Sequence, residues 1–156
     1  MHKHHIAHLD ISLTNLLTDY KGQYAYIDYE ISRRFDSTDP TTHLIYNYRG
    51  TELPPESGKE TPIDPYKVDV WALAVLILRS CKVCLPDIFI FDDCLCTFSQ
   101  LTGYWVPQLM DIIKPMLDED PSRRPSSFVV LQTFDKLVVS LRLQSETENG
   151  TRSCYN

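Results

Sequence analysis

The sequence predicts a mainly α-helical domain with one small β-hairpin at an edge, on three observations. Val68–Leu78 is apolar almost all the way round, and a helix without a polar face belongs inside a core. Val106–Leu117 places Leu109, Ile112, Ile113 and Leu117 at helical spacing, and Phe128, Leu131, Phe134, Val138 and Leu141 form one stripe of a closing helix. Leu16–Thr18 and Tyr24–Ile27 flank the turn-like Tyr20-Lys21-Gly22, which reads as a hairpin.

The elements follow in order. Met1–His8 is compatible with the continuation of a helix. Ser32–Pro65 is rich in Ser, Thr, Pro, Asp and Tyr without sustained periodicity, a long loop of the kind that is usually functional or disordered. Asp120-Pro121 ends the second helix, because proline disfavours α geometry at the residue before it. Ser126 is placed to cap the closing helix. The expected domain spans 1–143, and 144–156 is a polar, disordered tail.

Composition narrows the function. The chain has 156 residues, enough for one domain, with 43% hydrophobic and 23% charged residues. Fifteen basic against twenty-one acidic residues give a net charge of −6, which disfavours non-specific binding to nucleic acid or anionic lipid. No nucleic-acid or membrane partner is therefore expected. The longest apolar run, Val70–Leu78, is far short of the ~20 residues that span a bilayer. No basic-then-apolar leader opens the sequence, so the expected location is intracellular, in the cytoplasm. The glycines at 22, 50, 58, 103 and 150 are too far apart to write G-x-G-x-x-G or a P-loop.

Asp10 and Asn15 lie five apart in His8-Leu9-Asp10-Ile11-Ser12-Leu13-Thr14-Asn15, and Asp28 follows the hairpin. One carboxylate to accept a hydroxyl proton, with an Asp and an Asn to hold Mg²⁺, is what phosphoryl transfer to a hydroxyl requires. Alone, D-x4-N also fits a turn or a cap.

Taken with its surroundings, the sequence resembles the C-terminal lobe of a eukaryotic protein kinase over about residues 1–141. His8-Leu9-Asp10 with Asn15 resembles the H-R-D-x-x-x-x-N loop, and Asp28-Tyr29-Glu30 stands where the family has D-F-G. Pro54-Pro55-Glu56 stands for A-P-E, Asp69-Val70-Trp71 for the start of the central helix, and Asp120-Pro121-Ser122-Arg123-Arg124-Pro125 for D-P-x-x-R-P. The resemblance implies Asp10 as catalytic base, Asn15 and Asp28 as Mg²⁺ ligands, and ATP as phosphoryl donor. It implies His8 as support for the loop bearing Asp28, a buried Glu56–Arg124 pair, and Asp69 as acceptor of catalytic-loop N–H groups.

The departures matter as much. Leu9 replaces the arginine that reads a phosphorylated activation loop, Ser12 replaces a lysine, and Glu30 replaces a glycine. Gly50-Thr51 to Glu56 is two residues shorter than the family's usual segment. The amino-terminal lobe, with its glycine-rich loop and β3 lysine, is absent from these residues, so the isolated chain is expected to be inactive. The alternatives are a non-catalytic pseudokinase scaffold that binds a protein, and a zinc-stabilised module on Cys81, Cys84, Cys94 and Cys96, whose last pair is closer than zinc knuckles prefer. Ordinary reduced thiols are the simpler reading of those cysteines. Self-association through the exposed top of the lobe is a further expectation. Ser37, Thr38, Thr41, Thr42, Tyr46 and Tyr48 offer phosphorylation sites, and Arg33-Arg34 reads as a solvated pair or a phosphate contact. His2, His4, His5 and His8 suggest at most adventitious metal binding, and Asn149-Gly150-Thr151 is a chance glycosylation sequon.

Overall fold

The computed structural model describes residues 1–36, 43–83 and 107–152. Two short antiparallel ribbons stand at one end. Strand β1 (Ile6–Ala7) pairs with β4 (Arg33–Arg34), with Ala7 opposite Arg33; β2 (Leu16–Thr18) pairs with β3 (Tyr24–Tyr26), with Leu17 opposite Ala25. Three helices follow among the described residues: α1 (Pro65–Val83), α2 (Pro107–Met116) and α3 (Ser127–Arg152).

Helix α1 starts where Asp64 supplies a cap and Pro65 fits the first turn. The Asp64 carboxylate accepts the N–H groups of Tyr66 at 2.9 Å and Lys67 at 3.4 Å. The apolar circumference of this helix has a direct cause: it feeds three packing clusters at once. Val68 joins Ala7, Leu9, Ile45 and Ile63; Val70 and Ala74 meet Ile112, Ile113 and Met116 of α2; Ala72 and Leu76 close over Ile11. Each fully buried Val, Ile or Met in these clusters contributes about 1.5–3 kcal/mol.

Helix α2 ends at Met116, and a 3-10 turn (Pro121–Arg123) follows, capped by the Asp120 carboxylate on the Ser122 N–H at 2.9 Å. The Ser126 hydroxyl caps α3 by accepting the Val129 N–H at 3.3 Å. Three sequence expectations need correction. The first residues form a 3-10 turn (His2–His4) and β1 rather than a helix, and α3 is helical through Arg152 across much of the expected tail. On α3, Val130 and Leu137 pack against α2, whereas Phe128, Leu131 and Phe134 of the expected core stripe are exposed. Apolar residues occupy two faces of this helix, and periodicity alone does not say which one is covered. Cys84, Cys94 and Cys96 lie outside the described residues, as does the zinc expectation that rests on them together with Cys81.

Candidate active site

The loop from His8 to Asn15 is hung on the start of α1. Asp69, 2% exposed, accepts the backbone N–H groups of His8 at 2.7 Å and Leu9 at 2.8 Å, and lies 2.8 Å from the His2 imidazole. Buried N–H groups left unpaired would each cost about 1–3 kcal/mol, so this one carboxylate fixes the loop. Leu9 is held at φ 67°, a left-handed conformation that a branched side chain enters only under external constraint.

With the loop pinned, Asp10 and Asn15 meet. The Asn15 amide donates to the Asp10 carboxylate at 2.7 Å and to its carbonyl at 3.0 Å. The other carboxylate oxygen of Asp10 accepts the backbone N–H of Thr51 at 2.7 Å. Partial burial pushes the Asp10 carboxyl up, but the hydrogen bonds from Thr51 and Asn15, with His8 nearby, outweigh it and hold the group below its ordinary value. Asp10 is therefore a positioned, ionised acceptor at neutral pH.

Thr51 reaches Asp10 only because its neighbour is glycine. A methyl at Gly50 would collide with the Leu9 carbonyl and the Tyr48 hydroxyl. That hydroxyl donates to the Glu52 carbonyl at 3.0 Å; burial, then the charges of Asp69, Asp10, Glu52 and Glu56, push it far above the ordinary phenol range. Glu52, 3% exposed, pairs with Arg79 at 2.8 Å.

Asp28 sits just beyond β3, exposed, at φ 62°, a conformation that aspartate tolerates better than most residues. The N–H of the preceding Ile27 donates to the Asn15 carbonyl at 3.0 Å, which brings the Asp28 backbone alongside Asn15. The turn beyond it is fastened to His8: Ser32 donates to the His8 carbonyl at 2.9 Å, and the rings of Tyr29 and Tyr26 lie 5.0 Å and 5.3 Å from the imidazole. His8 itself is wholly buried, and its Nδ1 accepts the Asp10 N–H at 3.3 Å.

Glu56 and Arg124 form a bidentate pair at 2.6 Å and 2.7 Å, with exposures of 4% and 1%. Arg124 donates further to the carbonyls of Asp118 at 2.8 Å and Lys67 at 3.2 Å. This pair fastens the 50–56 segment, and through it Thr51, to the helical base.

The donor set suits a hard cation. The Asn15 amide nitrogen is spent on Asp10, and Asp28 is an exposed carboxylate next in the chain to Ile27, whose N–H bonds the Asn15 carbonyl. One carboxylate plus one amide oxygen, completed by water and substrate phosphates, is a usual Mg²⁺ arrangement. Among the described residues no group of three His, Cys, Asp or Glu side chains forms a metal cluster. No described helix is long and apolar enough to cross a membrane.

Sequence reasoning missed Thr51, the Glu52–Arg79 pair and the contact of His2 with Asp69. Only the Gly50-Thr51 dipeptide carried a local signal.

Residues 1–134 match the protein kinase domain. The chain is 26% identical over 139 residues to mouse serine/threonine-protein kinase Nek3, covering 84% of this chain and 26% of the mouse protein. It is 30% identical over 135 residues to rice CBL-interacting protein kinase 25, covering 79% of this chain and 25% of that relative. Against serine/threonine-protein kinase 10-A of Xenopus laevis it is 25% identical over 145 residues, covering 85% of this chain and 15% of the relative. The chain thus spans about a quarter or less of the length of these relatives. Its motifs, its packing and the match over most of its residues agree: the chain belongs to the protein kinase family.

Proposed function

We propose that these residues form the substrate- and metal-facing floor of an ATP-dependent serine/threonine phosphotransferase. Asp10 is the base that orients a protein substrate's hydroxyl, and Asn15 and Asp28 are the Mg²⁺ ligands. The observation that carries this reading is the carboxylate of Asp10, held by Asn15 on one oxygen and by Thr51 on the other. When bound, Mg·ATP supplies the phosphoryl group and the charge neutralisation of its oxygens.

The residues of the chain do the rest. Asp10 accepts a hydrogen bond from the incoming hydroxyl and takes its proton as the oxygen attacks. Its depressed pKa makes it a weak base, suited to late proton removal and to orientation rather than to full deprotonation in advance. Asn15 fixes the carboxylate rotamer while presenting its amide oxygen to the metal. Asp69 and the Glu56–Arg124 pair are positioning residues.

Phosphoryl transfer in this family also needs a lysine–glutamate pair and a loop over the phosphates, and these 156 residues contain no glycine-rich loop. The polypeptide assayed by itself is therefore expected to show negligible turnover with Mg·ATP and a generic protein substrate. Robust transfer abolished by Asp10→Asn would refute that expectation and leave the assignment of the base intact. A second reading, a non-catalytic scaffold, is favoured by Glu30 and by the exposed apolar residues of α3, which suit a protein partner or a second copy of the chain. Thermal shift with Mg·nucleotide separates the two. A ligand at 100 times its Kd adds about 2.7 kcal/mol, and no shift favours the scaffold.

A further inference from the structure

Glu52 follows directly on Thr51, the residue whose N–H holds the Asp10 carboxylate, so it lies one residue from the contact that positions the proposed base. Its side chain pairs with Arg79 of α1 at 2.8 Å, and burial divides the pair unevenly. The carboxylate side chain is 4% exposed and the guanidinium side chain 50%. A polypeptide lying along the 50–56 segment therefore meets the cation, while the anion that balances it sits behind. One nitrogen of the fork is spent on Glu52, and a guanidinium carries five N–H donors in all.

Both partners are carried on restrained backbone. The Glu52 carbonyl accepts the Tyr48 hydroxyl at 3.0 Å, and the far end of the segment is fastened by Glu56 to Arg124. Arg79 projects from a helix whose Leu76 and Ile77 pack into the core. The neighbouring carboxylates are already engaged: Glu56 by Arg124, and Asp10 by Asn15 and Thr51. Leu53, 61% exposed, adds an apolar step beside the pair.

We propose that Arg79 is a specificity-determining residue, selecting serine or threonine substrates that carry an aspartate or glutamate close to the accepting hydroxyl. The proposal rests on the reading of Asp10 as the base that faces a protein hydroxyl. An extended peptide advances ~3.3 Å per residue, so a guanidinium one residue beyond the Thr51 contact is reached by a side chain within about three residues of the acceptor. A substrate carboxylate completes the fork with charge-assisted hydrogen bonds. A substrate lysine or arginine gains nothing there, because the Glu52 carboxylate is buried and already held. Half of the Arg79 side chain keeps its hydration, so the discrimination is modest, about fivefold.

The test is fluorescence anisotropy of the whole chain with three labelled serine-centred peptide pools, flanked by glutamate, by alanine or by lysine. The glutamate pool should bind about fivefold more tightly than the alanine pool, the lysine pool should bind weakest, and added salt should narrow the spread. Arg79→Ala strands a buried carboxylate and risks unfolding, so the deciding variant is Glu52→Gln with Arg79→Gln, which keeps an amide contact and leaves no buried charge. It should level the three pools, Arg79→Lys should retain part of the preference, and Arg123→Gln on the opposite side of the helical base should change nothing. Circular dichroism checks that each variant keeps the fold. Amide shifts at Thr51 and Leu53 should follow the glutamate pool. Equal affinities, a lysine preference, no binding of any pool, or a glutamate preference that survives the double replacement overturns the proposal. A shift at Thr51 without a charge preference sinks the proposal alone, whereas an Arg79-dependent preference that leaves Thr51 unmoved sinks the reading of Asp10 and the proposal with it.

Discussion

Glu56→Gln is the sharpest probe of how the site is held. The substitution keeps the shape of the side chain and removes its charge, which leaves the Arg124 guanidinium, 1% exposed, facing a neutral amide. Arg124 keeps its bonds to the Asp118 and Lys67 carbonyls, so the loss falls on the two contacts at 2.6 Å and 2.7 Å. Breaking one side of a buried pair typically costs ~3–5 kcal/mol, a large share of the ~5–15 kcal/mol that stabilises a domain. With a urea slope of ~2 kcal/mol/M, the unfolding midpoint should fall by about 1.5–2.5 M. Equilibrium urea unfolding followed by circular dichroism reads this directly. The double replacement Glu56→Leu with Arg124→Met should recover most of the loss, because an apolar pair carries no unmet charge. A midpoint shift under about 0.5 M for the single variant would show that the pair is solvated, and the anchoring argument would fail.

Other outcomes follow from the same contacts. Asp69→Ala strips acceptors from the His8 and Leu9 N–H groups and should cost about 2–5 kcal/mol in the same assay. Gly50→Ala forces a methyl against the Leu9 carbonyl and should cost about 1–3 kcal/mol, with the Thr51 amide resonance shifting as its bond to Asp10 is strained. Ser126→Ala removes the α3 cap and should lower stability by about 1 kcal/mol. Because the Asp10 pKa is depressed on folding, its hydrogen bonds stabilise the fold above the carboxylate's ordinary 3.8, and that contribution is lost as pH falls through the lower folded value. Comparing wild type with Asp10→Asn from pH 7 to pH 2 should therefore show a constant stability difference down to about pH 4 that changes only below it.

What could be read from the residues, and what could not, divides along physical lines. Val68–Leu78 was legible as a buried helix because it has no polar face, and three clusters explain why it needs none. The hairpin was legible from its turn, and the meeting of Asp10 with Asn15 from the resemblance of their surroundings to the H-R-D-x-x-x-x-N loop rather than from their spacing alone. The pairing of Ile6–Ala7 with Arg33–Arg34 left no trace, since two-residue strands have no period and their register is set by tertiary contacts. The covered face of α3 was misjudged because Val130 and Leu137 compete with an equally apolar stripe. The hold of Thr51 on Asp10 depends on chain reversal across 41 positions, which no local signal encodes.

The claim on which the account rests is that Asn15 and Asp28 face a common cation beside Asp10. Titrating the isotopically labelled chain with Mn²⁺ and ADP and recording amide spectra measures this most directly. Paramagnetic broadening should begin at residues 10–15 and 27–29 and be relieved by excess Mg²⁺. Broadening that spares both stretches, or that persists unchanged in Asn15→Ala with Asp28→Ala, would contradict it.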